Sequence, residues 1–561
     1  MPFAVIVGAG MLLASRLAGL PPVTAVAAGL GSLGCVCLLV LWGTYFAASA
    51  GVVIALGLSG AAVLVLVHFR PWPSIRTWLP VLLVTVGALA LTVGMVGSTF
   101  GNGVFREVAT RFLPWALPED NQIPGFLATW FARSERGEFL IGDWLPSDRP
   151  PLQAGAILLI RALAPLWPGS PDIEVIDFGA SLAIQLAWVP AVVSLCAAVG
   201  VSARNAVMAA AFAAVVPVTI INTAYTWPKL LSGAFVIVAI AALVTSLRER
   251  VLAGPTLAVA AACSALGLLA HGAAAFALPA VLALAFVLLM RMRDWGVRLK
   301  WAAASAASVA LLYGPWLFFQ RFVAPPGDRL LKWHFAGVIP INDRSFLADL
   351  VMQYRAVGWR GALASRLSNI GHAFDMNLLQ GLDLWNEGAL SRRLTAEFYQ
   401  TSVALALGIV PLLLLVATAA ARKARGQSTR ADTKWALLIV GLAVGCVGLW
   451  TLAMFHPDGA IVHQGSHAWM LVLLVVPFAW LFGRVPPAAL TLAVCQLALT
   501  LFLLARATAD PARGANLAVV SVSLMLFIVA VVLARAGAAK KERGASESAA
   551  SALAVRSGTQ A

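Results

Sequence analysis

The sequence predicts an all-α polytopic membrane protein, on three observations. Hydrophobic residues make up 61% of the 561 and charged residues only 11%, with a mean hydropathy of +0.89. A single water-exposed globule could not hide that much apolar surface. The apolar residues also fall into runs of roughly 20, the length that a hydrocarbon layer about 30 Å thick requires of a helix. Finally, most basic residues stand in short links between those runs, so a formal charge of +15 reads as positive-inside bias and not as a nucleic-acid surface.

Taken in order, apolar runs cover about residues 3–20, 24–45, 48–69 and 77–100. The chain opens MPFAVIVGAG with no basic leader, so the first run is expected to be a retained span. Placing the link with Arg70 and Arg76 in the cytoplasm leaves residues 101–175, the first long polar stretch, on the outer side. The apolar segment from Pro150 to Trp167 is short, starts with Pro-Pro and carries Arg161. If it lies along the outer surface, spans follow at about 176–200, 205–222, 230–247, 252–270, 272–290 and 300–320. The links holding Arg204, then Arg248 and Arg250, then Arg291, Arg293, Arg298 and Lys300 then all fall inside, as the rule favours. Residues 321–399 form a second polar stretch, expected as an outer subdomain or lid. Runs near 400–421, 434–455, 468–483, 487–507 and 514–535 bring the expected total to about fifteen spans, with a disordered cytoplasmic tail from about 537. Cys35, Cys37, Cys196, Cys263, Cys446 and Cys495 all lie in apolar runs, which reads as small buried residues and not as disulfides or a zinc site.

The chemistry-bearing residues gather in the first polar stretch, PEDNQIPGFLATWFARSERGEFLIGDWLPSDRPPLQAG from Pro118 to Gly155. Ionisable groups this close to a bilayer need water, a partner or a function. Glu119 and Asp120 precede a short amphipathic stretch, Ile123 to Arg133. Asp120 is therefore either a cap on that helix or a general base for an acceptor hydroxyl, with Glu119 the competing choice. Arg149 stands before Pro150 and Pro151, which fix a helix start, so its guanidinium is placed either to grip a phosphate or to pair with Asp148 or Asp143. Six of the seven histidines (His271, His334, His372, His456, His463 and His467) come out on the same outer side.

An acidic pair, an amphipathic helix, the step Gly142-Asp143-Trp144 and the run Arg149-Pro150-Pro151-Leu152 resemble the first outer loop of the GT-C superfamily of membrane glycosyltransferases. The likeness is nearest to the branch of the protein O-mannosyltransferases and lipid A aminoarabinose transferases, and covers residues 101–320. It implies a GT-C-like bundle with two juxtamembrane helices in that loop, a catalytic base in the acidic pair, and the Arg-Pro motif near the phosphate of a polyprenyl-phosphate sugar donor. Tyr225-Thr226-Trp227-Pro228-Lys229 falls at the family's second outer loop, where an acid is usual and Lys229 stands instead. Ala270-His271-Gly272 falls where Thr-Lys-Gly is common, so His271 would replace a phosphate-facing lysine. Residues 1–76 have no counterpart, which divides the chain into extra N-terminal helices, a catalytic module (77–320), a lid (321–399), C-terminal helices (400–536) and a tail (537–561).

The late loop Phe455 to Trp469 holds His456, Asp458, His463, Gln464 and His467. Loop capping is the favoured role of these residues, and contacts from His463 and Gln464 to the donor are favoured over metal ligation, since Gly459 and Gly465 break any helix that would bring His463 and His467 together. A divalent metal is compatible with these residues but not demanded, and no soluble nucleotide cofactor is implied. The expected activity is sugar transfer from a polyprenyl-phosphate donor to an acceptor at the extracytoplasmic face of the bacterial inner membrane. Asp148, Arg149, Tyr225, Lys229 and His271 would lie at the donor. The rival is a transporter or flippase of lipid-linked saccharides, which calls for charges within the spans.

Overall fold

A computed structural model describes residues 2–69, 72–96, 103–111, 119–167, 169, 172–251, 253–374, 409–455, 467–507 and 518–536. These are helical nearly throughout, and the described residues contain no strand beyond one isolated bridge between Ile141 and Trp144. Nine helices among them are long and apolar enough to cross a membrane, or ten if one bent pair is a single span. The protein is an all-α, multi-pass membrane protein. The expectation of about fifteen spans credited runs that form shorter apolar helices, among them Pro2–Leu17, Ala468–Phe482 and Pro486–Phe502.

The first four helices are α1 (Pro2–Leu17), α2 (Pro22–Phe46), α3 (Ala48–Phe69) and α4 (Trp72–Val96). The polar stretch follows with α5 (Val104–Arg111), α6 (Ile123–Ala132) and α7 (Leu152–Leu163). Then come α8 (Ile173–Gln185), α9 (Trp188–Ala198), α10 (Ala203–Ala214), α11 (Pro217–Ala224), α12 (Lys229–Glu249), α13 (Ala253–Ala270), α14 (Leu278–Met290) and α15 (Trp295–Phe318). Between α10 and α11 the axis bends by 68°. Pro217 has no N–H to continue the ladder, which is enough to break a helix there.

The core is centred on α12. Its sequence KLLSGAFVIVAIAALVTSLRE is apolar on every side, so no face suits water, and every residue from Lys229 to Leu247 is buried. Its many Ala, Ser and Gly residues let neighbouring backbones come close; α2, α9, α13 and Ala468–Phe482 pack around it. Helix α2 also packs on α7 and α13, so the boundary expected at residue 76 is not a break in packing. Helix α4 meets the C-terminal helix 518–536, where Gly87 faces Phe527 and Gly94 faces Val519.

Helix α7 is packed in among other helices. Residues Leu152 to Ile160 are all buried, among α2, α3, α6 and α8. Arg161, which made this segment ambiguous, is neutralised from the next long helix: Nε donates to Asp177 Oδ1 at 2.7 Å and Nη2 pairs with Asp177 Oδ2 at 2.5 Å. Nη2 also donates to Thr129 Oγ1 at 3.0 Å on α6. A Cβ at Gly155 would run into the carbonyl oxygen of Cys37 on α2, so Gly155→Ala is expected to cost about 1–3 kcal/mol through overpacking. Thermal unfolding of the detergent-solubilised protein checks this, and an unchanged midpoint would contradict the close α2–α7 approach.

The cysteine expectation needs one correction. Cys37, Cys196, Cys263 and Cys446 are buried, but Cys495 is exposed and Cys35 partly so, because both helices turn one apolar face outward, where lipid takes the place of a core.

Candidate functional site

The two ends of α12 differ in chemistry. At its C-terminal end Arg248 donates to the carbonyls of Ala197 and Ala198 at 3.0 and 2.7 Å. Arg291 donates to Leu247 O at 2.9 Å, and Arg484 pairs with Asp432 at 2.9 Å. The basic links therefore converge there. Its N-terminal end, about 30 Å away for 21 residues, carries Lys229 and the residues singled out from the first polar stretch.

Asp120 sits in a short 3-10 turn, Glu119–Gln122, before α6. Its carboxylate does not cap α6, whose N-cap position is Gln122. Instead Arg149 Nη2 donates to Asp120 Oδ2 at 2.7 Å and the Tyr225 hydroxyl donates to Oδ1 at 2.7 Å. Both members of the ion pair are about nine-tenths buried. Burial pulls the Arg149 pKa below its ordinary value, and the negative charges of Asp120 and Asp148 oppose this. Arg149 stays a cation all the same. Its guanidinium lies over two indoles, 4.4 Å from the Trp144 ring and 4.9 Å from the Trp227 ring, contacts favourable to a planar cation.

The local backbone explains these positions. Gly142 has φ +55°, a left-handed conformation that glycine adopts without steric cost; it closes the turn in which Trp144 N–H donates to Ile141 O and presents Trp144 under Arg149. Thr226, with φ +61°, is strained for a β-branched residue. Its carbonyl is held by Gln153 at 2.8 Å and Gln185 at 3.3 Å, both buried. That turn lets Tyr225, Trp227 and Lys229 approach the same place. Lys229 Nζ stands 3.7 Å above the Trp227 ring at the first residue of α12, where the helix dipole is also positive. His271 caps the 3-10 helix Gly272–Ala277, Nδ1 accepting from Ala273 N at 3.1 Å. It joins the cluster by edge contact with Trp227, ring centroids 5.9 Å apart.

Asp148 does not pair with Arg149. Asp148 Oδ2 accepts from Arg329 Nη1 at 3.1 Å and from Leu145 N at 2.9 Å, and Asp143 pairs with Arg329 Nη2. Burial pushes the Asp148 carboxyl up, with the Leu145 N–H and Arg329 opposing it. Arg329 is the residue the sequence reading missed. It follows the turn PPGD in the second polar stretch, 181 positions from Asp148, and docks that stretch onto the first. Gln320 strengthens the docking by donating to Ser147 O at 3.0 Å. Arg329→Ala is expected to leave Asp148 buried without its cation and to raise deuterium uptake across 143–149 and 329–339, while α12 keeps its protection. Unchanged uptake in both segments would refute the latch.

Side-chain placement of Glu119 and the whole of His463 and Gln464 lie outside the described residues, as do His456 and Asp458. Among the described residues no three His, Cys, Asp or Glu side chains come together in a group able to hold a metal ion. A scan against protein-family models and a search of curated proteins returned no match for this chain.

Proposed function

We propose that this protein is a membrane glycosyltransferase of GT-C type, which moves a sugar from a polyprenyl-phosphate donor to an acceptor hydroxyl on the extracytoplasmic side of a bacterial inner membrane. One observation carries the reading: a carboxylate, Asp120, is held within 2.7 Å of Arg149 and of Tyr225 at the end of the bundle opposite the basic links. Arg149 binds Asp120 through Nη2 and leaves Nε uncommitted, so one guanidinium serves the carboxylate on one edge and can meet a phosphate oxygen on another.

In the reaction the acceptor oxygen bonds to the anomeric carbon while the bond from that carbon to the phosphate oxygen breaks. Asp120 takes the acceptor proton, and the departing polyprenyl phosphate keeps the electron pair. Arg149 and Lys229, with the positive end of α12, stabilise its growing charge. His271 makes an edge contact with Trp227, the ring over which Arg149 and Lys229 both stand. The lipid tail would lie between spans, and the stretch latched by Arg329 would cover the headgroup. No metal step is needed for this sequence of events.

Two observations favour a transporter of lipid-linked saccharides as the second reading: the 68° break between α10 and α11 and the Arg161–Asp177 pair inside the bundle, both familiar in transport proteins. Purified protein in proteoliposomes separates the two. Transfer of radiolabel from a polyprenyl-phosphate sugar to an acceptor supports the enzyme; movement of the intact labelled donor between leaflets without transfer overturns it.

A further inference from the structure

Several sealed polar atoms around Arg149 lack a hydrogen-bond partner among the described residues. Arg149 Nε, Trp333 Nε1 and His334 Nδ1 are all of this kind. An unpaired buried donor costs about 1–3 kcal/mol, so three in one neighbourhood call for an occupant.

They share that neighbourhood through a chain of rings. The Trp333 ring stacks on His334 with centroids 5.7 Å apart and faces Trp144 at 6.3 Å; Trp144 in turn carries the Arg149 guanidinium. The His334 backbone is fixed where its carbonyl accepts from Phe455 N at 2.9 Å. The charges that bear on the imidazole are positive. Burial first, then Arg149 and Lys229, push the His334 pKa down to about 3, so it is neutral at physiological pH and can hold a proton on Nδ1. The nearby acids each have a cation of their own: Asp120 has Arg149, Asp143 and Asp148 share Arg329, and Asp328 has Lys332 at 3.2 Å, although Oδ1 of Asp148 and of Asp328 accepts no hydrogen bond among the described residues. Asp349 is taken by Arg344 and Asn342.

We propose that His334 is a further ligand of the anion bound beside Arg149, its Nδ1–H donating to a non-bridging oxygen of an isoprenyl phosphodiester alongside Arg149 Nε and Trp333 Nε1. A tetrahedral group suits donors that arrive from two separate segments, because its oxygens point in different directions; a carboxylate offers two in one plane. The assignment rests on the phosphate reading of the site. It adds a residue from the second polar stretch, so the headgroup itself would join that stretch to the first.

Equilibrium binding of farnesyl methyl phosphodiester to the full-length protein in detergent tests it, since this probe keeps one negative charge across the working pH range. His334→Phe keeps a ring but no donor and is expected to weaken binding about tenfold. His334→Gln keeps an N–H and is expected to stay within about threefold of wild type. Equal binding by wild type and His334→Phe overturns the proposal, and so does an equal loss in both variants, which would mark a packing role. Phosphatidylglycerol is a second source of the same chemistry; if it displaces the probe mole for mole, the isoprenyl assignment falls. No binding by the wild-type protein overturns the phosphate reading and this assignment together, whereas wild-type binding that ignores His334 removes the assignment alone.

Discussion

Asp120→Asn is expected to reduce the rate of sugar transfer by about 10²- to 10⁴-fold, the range associated with losing a positioned general base. The amide is close in shape: its Oδ1 can still accept from Arg149 while its NH2 donates to the Tyr225 oxygen, the two groups that stand 2.7 Å from the carboxylate. Folding should survive, and donor affinity should change only modestly, because the loss falls on the proton transfer and not on the phosphate. Steady-state kinetics of the purified variant make the distinction: the account requires kcat to fall much further than KM rises. A variant with transfer close to wild type would show that Asp120 is an anchor for Arg149 and not a base.

The second large effect is on stability. Arg161→Ala is expected to destabilise the protein by about 3–5 kcal/mol, since it strands the Asp177 carboxylate, whose side chain is only 8% exposed. It also removes the donor to Thr129 and hence a link between α6 and α7. Those two helices carry the chain out of Asp120 and out of Arg149, so activity should fall with stability. The double variant Arg161→Met, Asp177→Leu removes both charges and is expected to regain most of the lost stability, because well-packed apolar replacements of buried pairs are often neutral. Thermal unfolding in one detergent compares the three proteins. A loss below about 1 kcal/mol in the single variant would place the pair in contact with water or lipid headgroups.

The fold was legible in the sequence where it depends on local pattern. Helices α2, α3, α12, α13 and α14 stand close to the apolar runs that announced them, whereas the single span expected over 205–222 is broken at Pro217, whose missing N–H was not weighed. What could not be read was the identity of partners far apart in the chain. Arg161 left the placement of α7 ambiguous until Asp177 was found against it, and Asp148, one of two acids offered as partners to Arg149, is met instead by Arg329 from 181 residues away. The residue types of the candidate site were visible as an acidic pair and a basic residue before two prolines. Their pairing was not, because the choice between Asp120, Asp143 and Asp148 as partner of Arg149 depends on how the first polar stretch folds back on itself. The indoles of Trp144 and Trp227 gave no signal of their role: tryptophan near a membrane surface is usual, and only the fold places both against one guanidinium.

The most direct measurement is an electron cryomicroscopy structure of the protein in nanodiscs with an isoprenyl phosphodiester bound. Phosphate density is expected within hydrogen-bond reach, about 3 Å, of Arg149 Nε, with Lys229 facing the same group and Asp120 open toward the sugar side. Phosphate density at another part of the bundle, with the Asp120–Arg149 pair left unvisited, would contradict it.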